Sequence, residues 1–133
     1  LWALVRTRSP SAAMLVSLSA NALNQLDTRP GRALKAFVAV SLLLGARPRR
    51  GLALAVLLAP YDLREMTMLG DAGSNALGAL LGLESVERIT GWRRLGAIGA
   101  LVSLTALGER RSLGAVIESS RVLGTLDRLG RAS

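Results

Sequence analysis

The chain has no cysteine and no histidine. Without cysteine there is neither a disulfide framework nor a thiolate metal site. Without histidine the commonest general base near neutral pH and the commonest zinc ligand are both missing. Any chemistry must therefore fall to Asp, Glu, Lys, Arg, Ser or Asn. Aromatic residues are nearly absent as well, at 3% of 133 residues. A base-stacking platform for single-stranded nucleic acid is not expected from so few rings. The net charge of +8, almost all of it from Arg, would otherwise invite a nucleic-acid reading. These arginines, however, stand between greasy segments and form no continuous basic face. No nucleic-acid partner is expected. In a membrane protein the same residues would sit at lipid headgroups or hold phosphate.

What the chain does have is apolar residues: half of it, with a mean hydropathy of +0.39 although 20% is charged. Charge and grease are segregated along the sequence. Five apolar segments stand out, at Ser9–Leu26, Ala33–Ala46, Gly51–Tyr61, Ala72–Leu83 and Leu95–Gly108. Leu and Ala dominate and no period-two alternation appears, so all five are expected to be helical. The second and third are apolar all the way round, as in a helix that is deeply buried or in lipid. The expectation is an all-α, multi-pass transmembrane bundle of about five spans over residues 10–108, followed by an amphipathic tail over 109–133. The whole is read as a single membrane domain, 1–133, cut from a larger one, since the first residue is Leu. Most segments are short for a bare span of roughly 20 residues, although terminal Arg and Lys can extend one by snorkelling. The alternative is a set of core helices in a soluble bundle.

Ser74, Gly78 and Gly82 recur at every fourth position, as do Gly96 and Ala100. That spacing suits close helix packing, or is ordinary glycine in an Ala- and Gly-rich chain. The positive charges divide almost evenly between the two sides of the expected bundle, so they give no orientation.

Two motifs could carry chemistry. In the first, Asn21, Asn24 and Asp27 follow one another at intervals of three, then Arg29, Pro30, Gly31 and Arg32. On a helix the three polar side chains project from roughly one face. They would line a watery cleft, or simply form a polar helix end before a turn. In the second, Gly70, Asp71, Gly73 and Ser74 open a small-residue helix containing Gly78. Glycine admits a ligand close to the backbone, a helix N-terminus favours phosphate, and an Asp carboxylate suits Mg²⁺. The plainer reading is that Asp71 or Ser74 caps the helix. Together, with Arg29, Arg32, Lys35 and Arg64 nearby, the motifs make a plausible site for a metal-bound diphosphate.

The ordered pair resembles the polyprenyl-phosphate N-acetylhexosamine-1-phosphate transferases, from about Pro10 to the tail. The Asn-Asn-Asp spacing with its following glycine matches at Asn21, Asn24, Asp27 and Gly31. The Gly-Asp-x-Gly-Ser pattern matches at Gly70, Asp71, Gly73 and Ser74. The resemblance implies a multi-pass protein of the inner cell membrane that transfers a sugar-1-phosphate from a UDP-sugar to a polyprenyl phosphate lipid and releases UMP. It implies Asp27 and Asp71 as catalytic residues, with Asp71 the Mg²⁺ ligand. It implies Asn21, Asn24, Arg29, Arg32, Gly70, Gly73 and Ser74 as substrate-binding residues, and it admits a homodimer. Three features depart from the pattern. The family's paired acidic residues, from an earlier loop, are not in the chain. Pro30 stands where many members carry a second Asp. The histidine cluster of the last loop has no counterpart. The isolated chain is therefore expected to be inactive, and a non-catalytic membrane relative, a scaffold or partner, is the second expectation.

Overall fold

The computed structural model describes residues 8–29, 31–45, 53 and 69–110. Four helices lie among them: α1 (Pro10–Leu26), α2 (Arg32–Leu43), α3 (Gly70–Arg88) and α4 (Gly91–Arg110). No strand occurs among the described residues. The apolar segment at 51–61 (Ala53 apart) and the tail beyond 110 lie outside them.

Helix α1 begins with Pro10 in its first turn, where the missing N–H costs nothing. It ends at Asp27, whose N–H still reaches the Leu23 and Asn24 carbonyls at 3.1 Å. Gly31 then turns the chain with φ +75°, a left-handed conformation that side chains disfavour, and α2 starts. Gly70 repeats the device at the start of α3 with φ +64°.

Helix α1 is the central element. It packs most extensively on α3, next on α4, and less on α2. The crossing with α3 is set by two glycines. A Cβ on Gly78 would lie 2.5 Å from Ala20 Cα, and one on Gly82 would lie 2.6 Å from Val16 Cα. No side chain fits there, so the backbones themselves touch. The pairing of Gly82 with Val16 and of Gly78 with Ala20 makes the two helices antiparallel. Leu23, Ala33, Leu34, Phe37, Leu77 and Leu81 form the shared core of α1, α2 and α3. Phe37 is fully buried and anchors α2.

Two arginines bind the far end together. Arg88 Nη1, at the end of α3, donates to the Leu44 and Gly45 carbonyls that follow α2, at 3.0 and 2.7 Å. Arg94, at the start of α4, donates to the Ile89 and Val86 carbonyls at the end of α3, at 2.9 and 2.8 Å. Each cation satisfies carbonyls that a helix end leaves open. Helices α2 and α3 therefore run parallel, with their N-termini at the end where α1 finishes, and α4 returns alongside α1.

The expected bundle of five membrane spans is not found. Among the described residues no helix is long and apolar enough to cross a membrane. The 17 residues of α1 extend about 26 Å, and the 12 of α2 about 18 Å, against a hydrocarbon core of roughly 30 Å. Helices α3 and α4 are longer, at 19 and 20 residues, but α3 carries Asp71, Glu84, Glu87 and Arg88 and α4 carries Arg93, Arg94, Glu109 and Arg110. Their apolar stretches are the short runs between these charges. The all-helical expectation agrees with the described residues; the spans do not.

Candidate functional site

The two sequence motifs meet at one end of the bundle. Because α1 and α3 are antiparallel, the last turns of α1 lie against the first turns of α3. Ser74 is fully buried there, and its Oγ donates to Asn24 Oδ1 at 2.8 Å. The same hydroxyl lies 2.9 Å from the Gly70 carbonyl oxygen and 3.4 Å from that of Asp71. One hydroxyl proton is divided among three acceptors, so Ser74 ties the first turn of α3 to the first motif. It does not cap α3: the N-cap is Leu69, with no side-chain cap hydrogen bond.

Asp71 is exposed in the first turn of α3, where the helix dipole favours its negative charge. Its carbonyl accepts a hydrogen bond from Asn75 Nδ2 at 2.7 Å, which leaves the carboxylate out of that contact. Asp27 is half-buried at the C-terminus of α1, at the same end. Arg29 is exposed in the turn that follows. Arg32 is buried, at 4% exposure, and its Nη1 donates to Thr28 Oγ1 at 2.9 Å. Gly70 is exposed, with open space where a Cβ would stand, and Gly73 packs against Leu69. The end thus collects two carboxylates, two arginines and the N-termini of α2 and α3.

Asn21 does not join this group through its amide. Its Nδ2 donates to Thr105 Oγ1 of α4 at 3.1 Å. The interval of three between Asn21 and Asn24 turns the second amide toward α3 while the first faces α4. Thr105 is the partner that sequence reasoning missed, since a lone Thr in an apolar segment carries no motif. Arg64, also expected near the site, lies outside the described residues.

An apolar groove of about 290 Å³ runs through the bundle. It extends from Leu26, near the motif end, to Leu44 and Ile89 at the other, with Ala36, Leu81 and Leu101 along its walls.

Among the described residues there is no group of three or more acidic side chains that could hold a metal by themselves. The donors at the motif end are carboxylate oxygens, the type Mg²⁺ takes, and that ion needs only one or two of them when phosphate oxygens complete its shell. Asp71 and Asp27 are carboxylates of that type at the same end of the bundle. In comparisons with known proteins, no family model, no curated protein and no solved structure matches this chain.

Proposed function

We propose that the motif end of the bundle handles the diphosphate of a UDP-sugar in a transferase that loads sugar-1-phosphate onto a polyprenyl phosphate. The observation that carries this reading is the Ser74–Asn24 hydrogen bond, which joins two motifs 50 positions apart into one site. The N-termini of α2 and α3 at the same end supply oriented N–H groups and positive dipole ends for phosphate oxygens. Arg29 supplies an exposed cation, and Arg32 a buried one beside Thr28. Asp71, with Asp27 at the same end of the bundle, would hold Mg²⁺, which when bound offsets the charge of a diphosphate. The apolar groove that starts at Leu26 suits the lipid tail of the acceptor.

In this reaction an oxygen of the lipid phosphate attacks the sugar-proximal phosphorus. A new P–O bond forms, the bond to the bridging oxygen of the UDP diphosphate breaks, and UMP leaves with that oxygen. The chain's residues orient and stabilise: Arg29 and the helix N-termini hold the phosphates, and Ser74 with Asn24 fixes the position of the first turn of α3. The membrane is where the lipid acceptor would be met.

A second reading is a non-catalytic relative, a scaffold or partner. It is favoured by the amides of Asn21 and Asn24, which are engaged by Thr105 and Ser74 in the fold itself. One assay separates the two. The chain is incubated with UDP-N-acetylglucosamine, undecaprenyl phosphate and Mg²⁺, and UMP is measured. Mg²⁺-dependent UMP release supports the transferase. Because the family's earlier acidic pair is not in the chain, the transferase reading does not require release by it: Mg²⁺-dependent UDP binding without release still supports that reading. An outcome with neither binding nor release overturns the transferase reading and favours the relative.

A further inference from the structure

We propose that the groove inside the bundle binds one straight-chain fatty acid, with its carboxylate at the end where α1 begins. The walls come from all four helices and are apolar almost throughout. Ser19 and Ser85 bring the only hydroxyls of the lining, and both protons are spent on carbonyls of their own helices, Leu15 and Leu81, at 2.7 Å. Neither calls for a polar ligand atom part way along. Ala22, Ala36, Ala97 and Ala100 leave the room between the helices, and Val40 and Ala100 stand exposed at the rim. From Leu15 to Leu26 the groove follows α1 for about 17 Å by helix rise, the reach of roughly 13 extended methylenes.

The two ends of the groove differ in charge. At the motif end its last residue on α1, Leu26, adjoins Asp27. At the other end two lining residues carry arginines on their backbone. Arg88 Nη1 donates to the Leu44 carbonyl at 3.0 Å, and Arg94 Nε donates to the Ile89 carbonyl at 2.9 Å. With its second carbonyl, each guanidinium uses two of its five N–H groups and keeps three for a ligand. Arg8 and Arg93 are exposed at the same end, against Glu84, half-buried, and Glu87, exposed. That balance suits a monoanion, and guanidinium forks suit a carboxylate. A straight apolar chain ended by one carboxylate meets both the walls and the arginines. The inference does not rest on the transferase reading: it needs neither nucleotide nor Mg²⁺, and it sets the head at the end opposite the motifs. A fatty acid and an acceptor tail exclude each other from this groove.

The test is calorimetric titration of the full chain with fatty acids of about 8 to 16 carbons, each below its aggregation limit, and with decanol. Affinity rises about three- to fourfold per added methylene and levels off near about 14 carbons, where the groove is full. Ala100→Phe, which fills the groove from its exposed rim, weakens decanoate and decanol alike by about tenfold or more. Arg88→Gln weakens decanoate by about threefold or more and leaves decanol unchanged. Arg29→Gln, a charge-matched change at the motif end, alters neither. Far-UV circular dichroism checks that the variants stay helical. Should Arg88→Gln not, rising salt on the wild-type chain takes its place and weakens decanoate relative to decanol. No binding by the wild-type chain overturns the proposal. So does an affinity that keeps rising through about 16 carbons, as unspecific partition onto apolar surface does. A loss in Arg29→Gln with none in Arg88→Gln also overturns it, because the head would then sit at the motif end.

Discussion

Ser74 Oγ stands 2.8 Å from Asn24 Oδ1, a contact between residues 50 positions apart that lies among the first turns of α3 and the last turn of α1. Asp27 follows Asn24 by three residues and Asp71 precedes Ser74 by three. On antiparallel helices those steps lead toward the same end of the bundle. The hydrogen bond thus brings Asp27, half-buried, and Asp71, exposed, to one end of the bundle, where α2 and α3 begin.

A double-mutant cycle measures this link. Ser74→Ala and Asn24→Ala are each expected to lower stability by about 1 kcal/mol, and together by less than the sum, with a coupling of about 0.5–1.5 kcal/mol. Urea denaturation followed by circular dichroism reads it. Additive losses would mean that the two side chains do not act on each other.

The glycines of α3 and α4 should respond oppositely to alanine. At Gly78 and Gly82 the new methyl would meet α1 backbone at 2.5 and 2.6 Å. Each change should destabilise by about 2 kcal/mol or more, because backbone cannot yield as a flexible side chain can. At Gly96 and Gly99 the methyl meets nothing within 4 Å. There Ala should stabilise by about 0.5–1 kcal/mol through helix propensity. Thermal melts of the four variants would show two falling and two rising; a uniform response would refute the tight α1–α3 crossing.

Phe37→Ala should cost about 3–5 kcal/mol, as large-to-small changes in a packed core do. Phe37 is the largest fully buried side chain among the described residues and holds α2 to α1 and α3. Denaturation midpoints check it, and a loss below about 1 kcal/mol would mean that α2 is not docked.

Arg94→Ala should loosen the α3–α4 junction more than Arg88→Ala loosens the α2–α3 contact. Both guanidinium groups reach two carbonyls, but Arg94 is half-buried and Arg88 is exposed. Water competes better for the exposed contact. Amide hydrogen exchange in the first turn of α4 should accelerate in the first variant; equal effects would contradict the difference in burial.

Much of the helical content was legible in the sequence because apolar runs mark helix interiors. Ser9–Leu26 became Pro10–Leu26, and Leu95–Gly108 lies within Gly91–Arg110. Ala72–Leu83 fell short of α3 at both ends, since Gly70–Asp71 and Glu84–Arg88 are helical without being apolar. The Ser74–Gly78–Gly82 spacing did mark a close packing face, but it did not say in what solvent that face forms. The membrane spans were over-read for that reason: hydropathy along the chain reflects burial in a protein core as readily as burial in lipid. In the site, the meeting of the motifs was legible from their polar and glycine-rich composition. The separate fates of Asn21 and Asn24 were not, because they depend on where α4 lies, and no residue of the first motif encodes that.

The central claim is that the motif end binds a metal-bound diphosphate. It is tested most directly by calorimetric titration of UDP into the chain with and without Mg²⁺, repeated on Asp71→Asn, Asp27→Asn and the far-end control Glu87→Gln. The account predicts Mg²⁺-dependent binding that weakens by about tenfold or more when Asp71 or Asp27 loses its charge, and that is unchanged in Glu87→Gln. Binding that ignores Mg²⁺ and all three substitutions, or no binding by the wild-type chain, would contradict it.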